Sequence, residues 1–212
     1  PRQKEHSGKF DDLSDQKQRE ELLAMHRKLY EDSVRIDGVF FPGGDPGDNP
    51  PELVMPFLAD VAKELIPRHP HAKVWLSLQG YHGDKVQKSY EYIKENQPEW
   101  FGGLVDGPSG PPTDEQRSNL PEQYKLRMYP DFTHNKLSQY VVPWWDNAFA
   151  LTLGREAINP RPSQYTQIHN WYAPYSDGFI SYSDGVHDDV NKAIFSYLAW
   201  DPATDPRTIV ED

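Results

Sequence analysis

Ile36-Asp37-Gly38-Val39-Phe40-Phe41-Pro42-Gly43-Gly44-Asp45-Pro46-Gly47-Asp48-Asn49-Pro50-Pro51 decides the reading of the fold. A short apolar run rich in β-formers stops in glycines, prolines and two acids, and an amphipathic pattern follows at once. Asp, Gly and Pro make turns for separate physical reasons, so a turn is expected here. The run before it reads as a buried strand, Ile36–Phe41. The run after it reads as a helix over 51–66, because Leu53, Val54, Phe57, Leu58, Val61, Ala62, Leu65 and Ile66 form a continuous apolar stripe. Pro51 suits the first helical turn.

The same strand–turn–helix alternation recurs outward from that stretch. Upstream, 15–34 reads as a helix with Leu22, Met25, Leu29 and Tyr30 on one face, and 1–14 is polar and expected to be poorly ordered. Downstream, Ala72–Leu78, Trp100–Val105, Tyr124–Tyr129 and Gly178–Tyr182 read as strands. Helices are expected over 84–97, near 147–153, over 163–173 with Ser163 as its cap, and from Asp188-Asp189 onward. Asp188 and Asp189 read as cap and first-turn residues. Short apolar strands between helices imply an α/β fold with a parallel sheet covered on both faces. A doubly wound open sheet and part of a (β/α)8 TIM barrel both satisfy this pattern.

Each strand ends in polar or ionisable residues. The five ends carry Asp45; Gln79, Tyr81 and His82; Asp106; Tyr129, Asp131 and His134; and Tyr182, Ser183 and Asp184. One Asp after a strand is ordinarily a turn residue or a helix cap. Recurrence at all five ends carries the functional argument, because parallel strands deliver their carboxyl ends to one edge, the active-site face of a barrel. Tyr81, Tyr129, Trp144, Trp145 and Tyr182 lie mainly in loops after strands. Aromatic platforms beside acids suit a sugar, whose C–H faces pack on rings while its hydroxyls meet carboxylates. Arg155 and Arg161 precede the fifth strand. Either could pair with a substrate carboxylate, or hold the loop by pairing with an acid of the fold.

Composition narrows the partners. The chain of 212 residues carries a net charge of -11, which disfavours nucleic acid and anionic membrane surfaces. Hydrophobic residues are 36% and mean hydropathy is -0.82, yet aromatics reach 13% with six Trp and twelve Tyr. Cysteine is absent, which removes disulfides and thiolate metal sites and leaves the compartment open, with a secreted or periplasmic setting favoured. No apolar run approaches the roughly 18 residues of a membrane span. A start at Pro1 and an end at Asp212 read as a piece of a longer protein. Dinucleotide fingerprints, phosphate loops, serine-nucleophile elbows and H-E-x-x-H are all missing from the sequence. A metal site from His82, His134, His169, Asp106 or Asp184 is conceivable, but no ligand spacing announces one.

Asp37–Gly47, Val74–Gly80, Tyr129–His134, Tyr182–Gly185 and Asp188–Lys192 together resemble a bacterial family of glycoside-hydrolase-like (β/α)8 barrels, nearest to α-glucuronidase and hexosaminidase-like barrels. The resemblance covers the chain from about residue 20. It implies that the five strands correspond to barrel strands four to eight, so that 15–212 forms the C-terminal five β/α units. The hexosaminidase-like barrels carry two adjacent acids after strand four. Here Asp45 and Asp48 are separated by Pro46-Gly47, so Asp45 matches by position only. The expected activity is glycosidic-bond cleavage by paired carboxyls drawn from Asp45, Asp106, Asp131 and Asp184, with no metal or cofactor. Gln79, Tyr81, Tyr129, His134, Trp144, Trp145, Arg155 and Tyr182 would bind the oligosaccharide or glycoside. A carbohydrate-binding barrel without turnover and a metal-dependent hydrolase are the alternatives.

Overall fold

The computed structural model describes residues 12–44, 49–133, 139–140, 160–183 and 188–211. They fall into two compact units, one up to Leu126 and one from Arg127. Each has its own apolar core.

In the first unit, helix α1 (Gln16–Asp32) starts at Asp15, whose carboxylate accepts from the Lys17 and Gln18 amides and satisfies donors that every helix start leaves open. The expected face of α1 is partly corrected. Tyr30 is buried, but Met25 and Leu29 are 69% and 55% exposed. The stripe that packs inward runs instead through Leu22, Leu23, His26 and Tyr30, the i, i+3/i+4 spacing offset by one position. Strand β1 (Gly38–Pro42), helix α2 (Pro51–Leu65), strand β2 (Lys73–Ser77), helix α3 (Asp84–Asn96) and strand β3 (Phe101–Asp106) follow. Val54, Leu58, Val61 and Leu65 of α2 are buried, as are Val86, Tyr90 and Ile93 of α3. At about 1.5–3 kcal/mol for each fully buried large apolar side chain, these two helix faces dominate the stability of the unit. The 7-residue helix α4 (Thr113–Asn119) follows β3 and is not among the helices expected from sequence. His69 joins α1 to β1. Its Nε2 faces the Tyr30 carbonyl at 2.9 Å and its Nδ1 accepts from the Ile36 amide at 3.3 Å, which places the proton on Nε2.

The sheet order is β1-β2-β3-β4, where β4 (Lys125–Met128) carries the chain from the first unit into the second. β1 pairs with β2 in parallel over Gly38↔Lys73 to Pro42↔Ser77. β2 pairs with β3 in parallel with a one-residue slip, Val74↔Phe101 but Trp75↔Gly103. The extra residue, Gly102, makes the slip tolerable. A Cβ there would lie 2.6 Å from Trp75 Cε2, and one on Gly38 would lie 3.1 Å from Trp75 Nε1. Glycines on both neighbouring strands therefore make room for one indole. The fold is thus α/β with a parallel sheet in sequential order. Closure into a barrel is not shown by these strands.

In the second unit, β5 (Asp131–Thr133) pairs in parallel with β6 (Tyr182–Ser183). Met128 also bridges Phe179 in parallel, so the expected fifth strand is present as a bridge and a short pair rather than one long strand. Helix α5 (Pro162–Tyr172) begins one residue earlier than expected. Arg161 takes the cap position and Ser163 lies inside the helix, because Pro162 with its fixed φ fits the first turn. A 3-10 turn, Ala173–Tyr175, follows. Helices α6 (Asp189–Trp200) and α7 (Pro206–Glu211) complete the unit. Its core joins Phe132, Tyr165, Ile168, Ile194, Phe195 and Leu198, with Phe132 and Tyr165 edge to face at 4.7 Å.

Candidate functional site

Parallel pairing brings the carboxyl ends of β1, β2 and β3 to one edge of the first unit, and backbone bonds tie the loops there to one another. The Gly44 amide donates to the Gln79 carbonyl at 2.9 Å, and the Gly80 amide donates to the Ser109 carbonyl at 3.3 Å. The paired glycines of the opening stretch have a specific reason. A Cβ on Gly43 would strike the Ser77 carbonyl, and one on Gly44 would lie 2.7 Å from the Tyr81 ring. The end of β1 thus lies directly on the end of β2, a contact that side chains would block. Tyr81 is 1% exposed and donates its hydroxyl to the Asn49 carbonyl at 2.8 Å. Gln79 is half-buried, and its amide donates to Ser77 Oγ at 3.1 Å.

Asp106 ends β3 and is 9% exposed. Thr113 Oγ1 donates to one of its oxygens and Gln116 Nε2 donates to the other at 2.7 Å. Gln116 is buried on α4 and also donates to the Pro111 carbonyl at 2.8 Å. Burial pushes the Asp106 carboxyl above the ordinary carboxylate range, against the two hydrogen bonds that favour its ionised form. Between Asp106 and α4 the chain makes a tight turn, with the Gly110 amide on the Gly107 carbonyl at 3.2 Å. Pro108 and Ser109 are its central residues, and Ser109 has φ 64°, the left-handed conformation that a type II turn demands at its third position.

A second feature lies at the end of β1. A cavity of about 110 Å³ is walled by Leu22, His26, Phe41, Asn49, Val54 and Phe57 among others. The His26 ring sits 5.3 Å from Phe41 and 6.2 Å from Phe57, and its Nδ1 is 3.1 Å from Tyr30 Oη. Burial lowers the His26 pKa, so neutral imidazole is favoured.

In the second unit, Asp131 is 5% exposed at the start of β5. Gln139 brackets its backbone: the Asp131 amide donates to Gln139 Oε1 at 2.9 Å, and the Gln139 amide donates to the Asp131 carbonyl at 3.1 Å. Asp131 is in register with Tyr182, whose ring lies 6.2 Å edge to face from Tyr129. Asp131, Tyr129 and Tyr182 are therefore brought together. Asp188, read from sequence as a helix cap, makes no side-chain cap bond. It is fully buried, and its carboxylate accepts from Thr133 Oγ1, from Ser183 Oγ and from Asn191 Nδ2 at 3.0 Å. Asn191 in turn accepts from the Arg161 amide at 2.8 Å. The Arg161 guanidinium donates to Gln164 Oε1, the Tyr140 carbonyl and Tyr165 Oη, so among the described residues it holds its loop through neutral partners and not through the acid expected from sequence.

Asp45, His134, Trp144, Trp145, Arg155 and Asp184 lie outside the described residues. Thr113, Gln116, Asp188 and Asn191 were missed as members of the strand-end clusters. Their signal is a polar residue several positions past a strand end, which any solvated loop also shows. Among the described residues, no three His, Asp or Glu side chains group as a metal site, and no helix is long and apolar enough to cross a membrane.

No protein-family model matches the chain, and no curated protein does.

Proposed function

We propose that the chain is part of a (β/α)8 barrel of a carbohydrate-active hydrolase, which cleaves a glycosidic bond with two carboxyl groups. Sequential parallel order supports the barrel: β1-β2-β3-β4 contains no reversal of strand order, the feature that marks a doubly wound sheet. The observation that carries the activity is the state of Asp106. It is a strand-end carboxyl at 9% exposure with its pKa raised by burial, the property a proton donor needs. In such a mechanism Asp106 gives its proton to the leaving oxygen. A second carboxylate, for which Asp45 of the same unit is the candidate, activates water or attacks the anomeric carbon. The Tyr129–Tyr182 pair beside Asp131 is a suitable platform for a sugar face.

The test is hydrolysis of a panel of aryl glycosides and glycosiduronic acids by wild-type protein, Asp106→Asn and Asp131→Asn. Turnover by wild type that falls at least about 100-fold in a folded variant supports a chemical role for that carboxyl. Turnover unchanged in Asp106→Asn removes it as the donor. Binding without turnover on every substrate moves the reading to a carbohydrate-binding barrel.

A further inference from the structure

We propose that Asp188 is a positioning residue, a buried clamp that fixes the ends of β5 and β6 side by side. Thr133 and Ser183 are the last residues of those two strands, they face each other in register, and both donate their hydroxyls to the same carboxylate oxygen of Asp188. The other oxygen accepts from Asn191, one turn into α6, so a single carboxylate joins two strand ends and a helix. The strand pair itself is short. It is two residues long on the β6 side, and its register slips between Asp131 and Thr133. Two-stranded pairs of that length are not independently stable in water. Three side-chain hydrogen bonds converge on this one buried carboxyl group. The clamp holds the strands that carry Asp131 and Tyr182, and the chain runs on directly from Thr133 into His134 and from Ser183 into Asp184. Its relevance to sugar processing rests on the function proposed above; the clamp itself does not.

Asp188→Ala and Asp188→Asn separate the possibilities. Asparagine keeps an acceptor for Asn191 and offers its amide hydrogens to the two hydroxyls, which can turn to accept, so it preserves the clamp without a carboxyl group. The Tyr182 amide, which donates to the Pro130 carbonyl at 3.0 Å, reports the strand pair by hydrogen exchange. In Asp188→Ala its exchange rises at least about tenfold while the Ile194 and Leu198 amides of α6 keep their rates, and glycoside kcat/KM falls at least about tenfold. In Asp188→Asn both stay within about threefold of wild type. Should Asp188→Ala fail to fold, Thr133→Val removes one donor alone and gives a smaller rise at Tyr182. Unchanged exchange in Asp188→Ala, or in Thr133→Val where that variant stands in, overturns the clamp. Turnover lost in Asp188→Asn with exchange intact makes the carboxylate chemical rather than positioning, and faster exchange with unchanged turnover removes its role in positioning. A wild type that hydrolyses and binds no glycoside sinks the glycosidase reading alone, and exchange at Tyr182 still decides the clamp.

Discussion

Replacing Asp106 with alanine and with asparagine should have very different consequences for stability. Alanine removes both acceptors at once. Gln116 is completely buried, so its stranded N–H carries the full cost of an unmet buried donor, about 1–3 kcal/mol. Thr113 is half-buried and can turn its hydroxyl to water, so its loss is nearer the net value of one hydrogen bond, about 0.5–1.5 kcal/mol. The sum is about 1.5–4.5 kcal/mol. Asparagine offers Oδ1 to Gln116 and its amide to Thr113 Oγ1, so it should cost less than about 1 kcal/mol. The pH dependence has a definite sign. The folded-state pKa of Asp106 lies above its unfolded value, so the native state holds the proton more tightly. Its contribution is fully present below the unfolded pKa and is lost as pH rises through the folded pKa. The wild type thus loses stability across that window where Asp106→Asn does not, so the cost of asparagine relative to wild type grows on acidification. Urea unfolding at several pH values measures all three quantities. Equal destabilisation by Asn and Ala, or an alanine cost under about 0.5 kcal/mol, would refute the reasoning.

Gly103→Ala should destabilise the first unit by about 3 kcal/mol or more, since Gly103 has φ 143° and its Cβ would sit on the Lys125 carbonyl oxygen, a backbone atom that cannot move aside; urea midpoints check this. Ser109→Gly should stabilise by about 0.5 kcal/mol, because relief of a left-handed serine, about 1–2 kcal/mol, is partly offset by about 0.4–1 kcal/mol of added unfolded-state entropy; an unchanged or lower midpoint contradicts it. His26 is held neutral by burial, with a folded pKa below its unfolded value, so its contribution is present above about 6.5 and lost as pH falls through the folded pKa. His169 behaves alike in the second unit, so His26→Phe should flatten the acid loss of stability only in part, which melts at pH 7.5 and 5.5 would detect.

The strands and helices were legible wherever both faces of the sheet are covered. Val74-Trp75-Leu76 reads as an apolar run because β2 is buried at four of its five residues, Ser77 included. The edge of strand ends was legible too, since parallel order alone brings them together. What the sequence hid was packing that depends on partners far along the chain. Met25 and Leu29 match the helical period as well as Leu22 does, and only the position of β1 and α2 decides which residues turn inward. Gly102 is similar. A glycine in a strand signals a bulge or a close approach, but that the approaching group is Trp75 follows only from the register. Asp188 does stand at the N-cap position read from the sequence, but nothing local reveals that its side chain turns instead to hydroxyls arriving from two strand ends.

Asp106 and Asp188 have a common logic. Each is buried, each lies at or shortly after a strand end, and each accepts from side chains of Thr, Ser, Asn or Gln. Neutral donors bind a carboxylate from fixed directions and add no charge of their own, so they hold a loop in one geometry without drawing a cation to the edge. A carboxyl used in this way should tolerate asparagine, because shape and hydrogen-bonding capacity carry its role. A carboxyl that transfers a proton or attacks carbon should not, because asparagine can do neither. Substitution to asparagine at Asp45, Asp106, Asp131, Asp184 and Asp188, read for both stability and turnover, therefore sorts anchors from chemistry. Asp106 is the informative member of that set. Its bonds are those of an anchor and its raised pKa is that of a donor, and only the donor role predicts a stable, inactive Asp106→Asn.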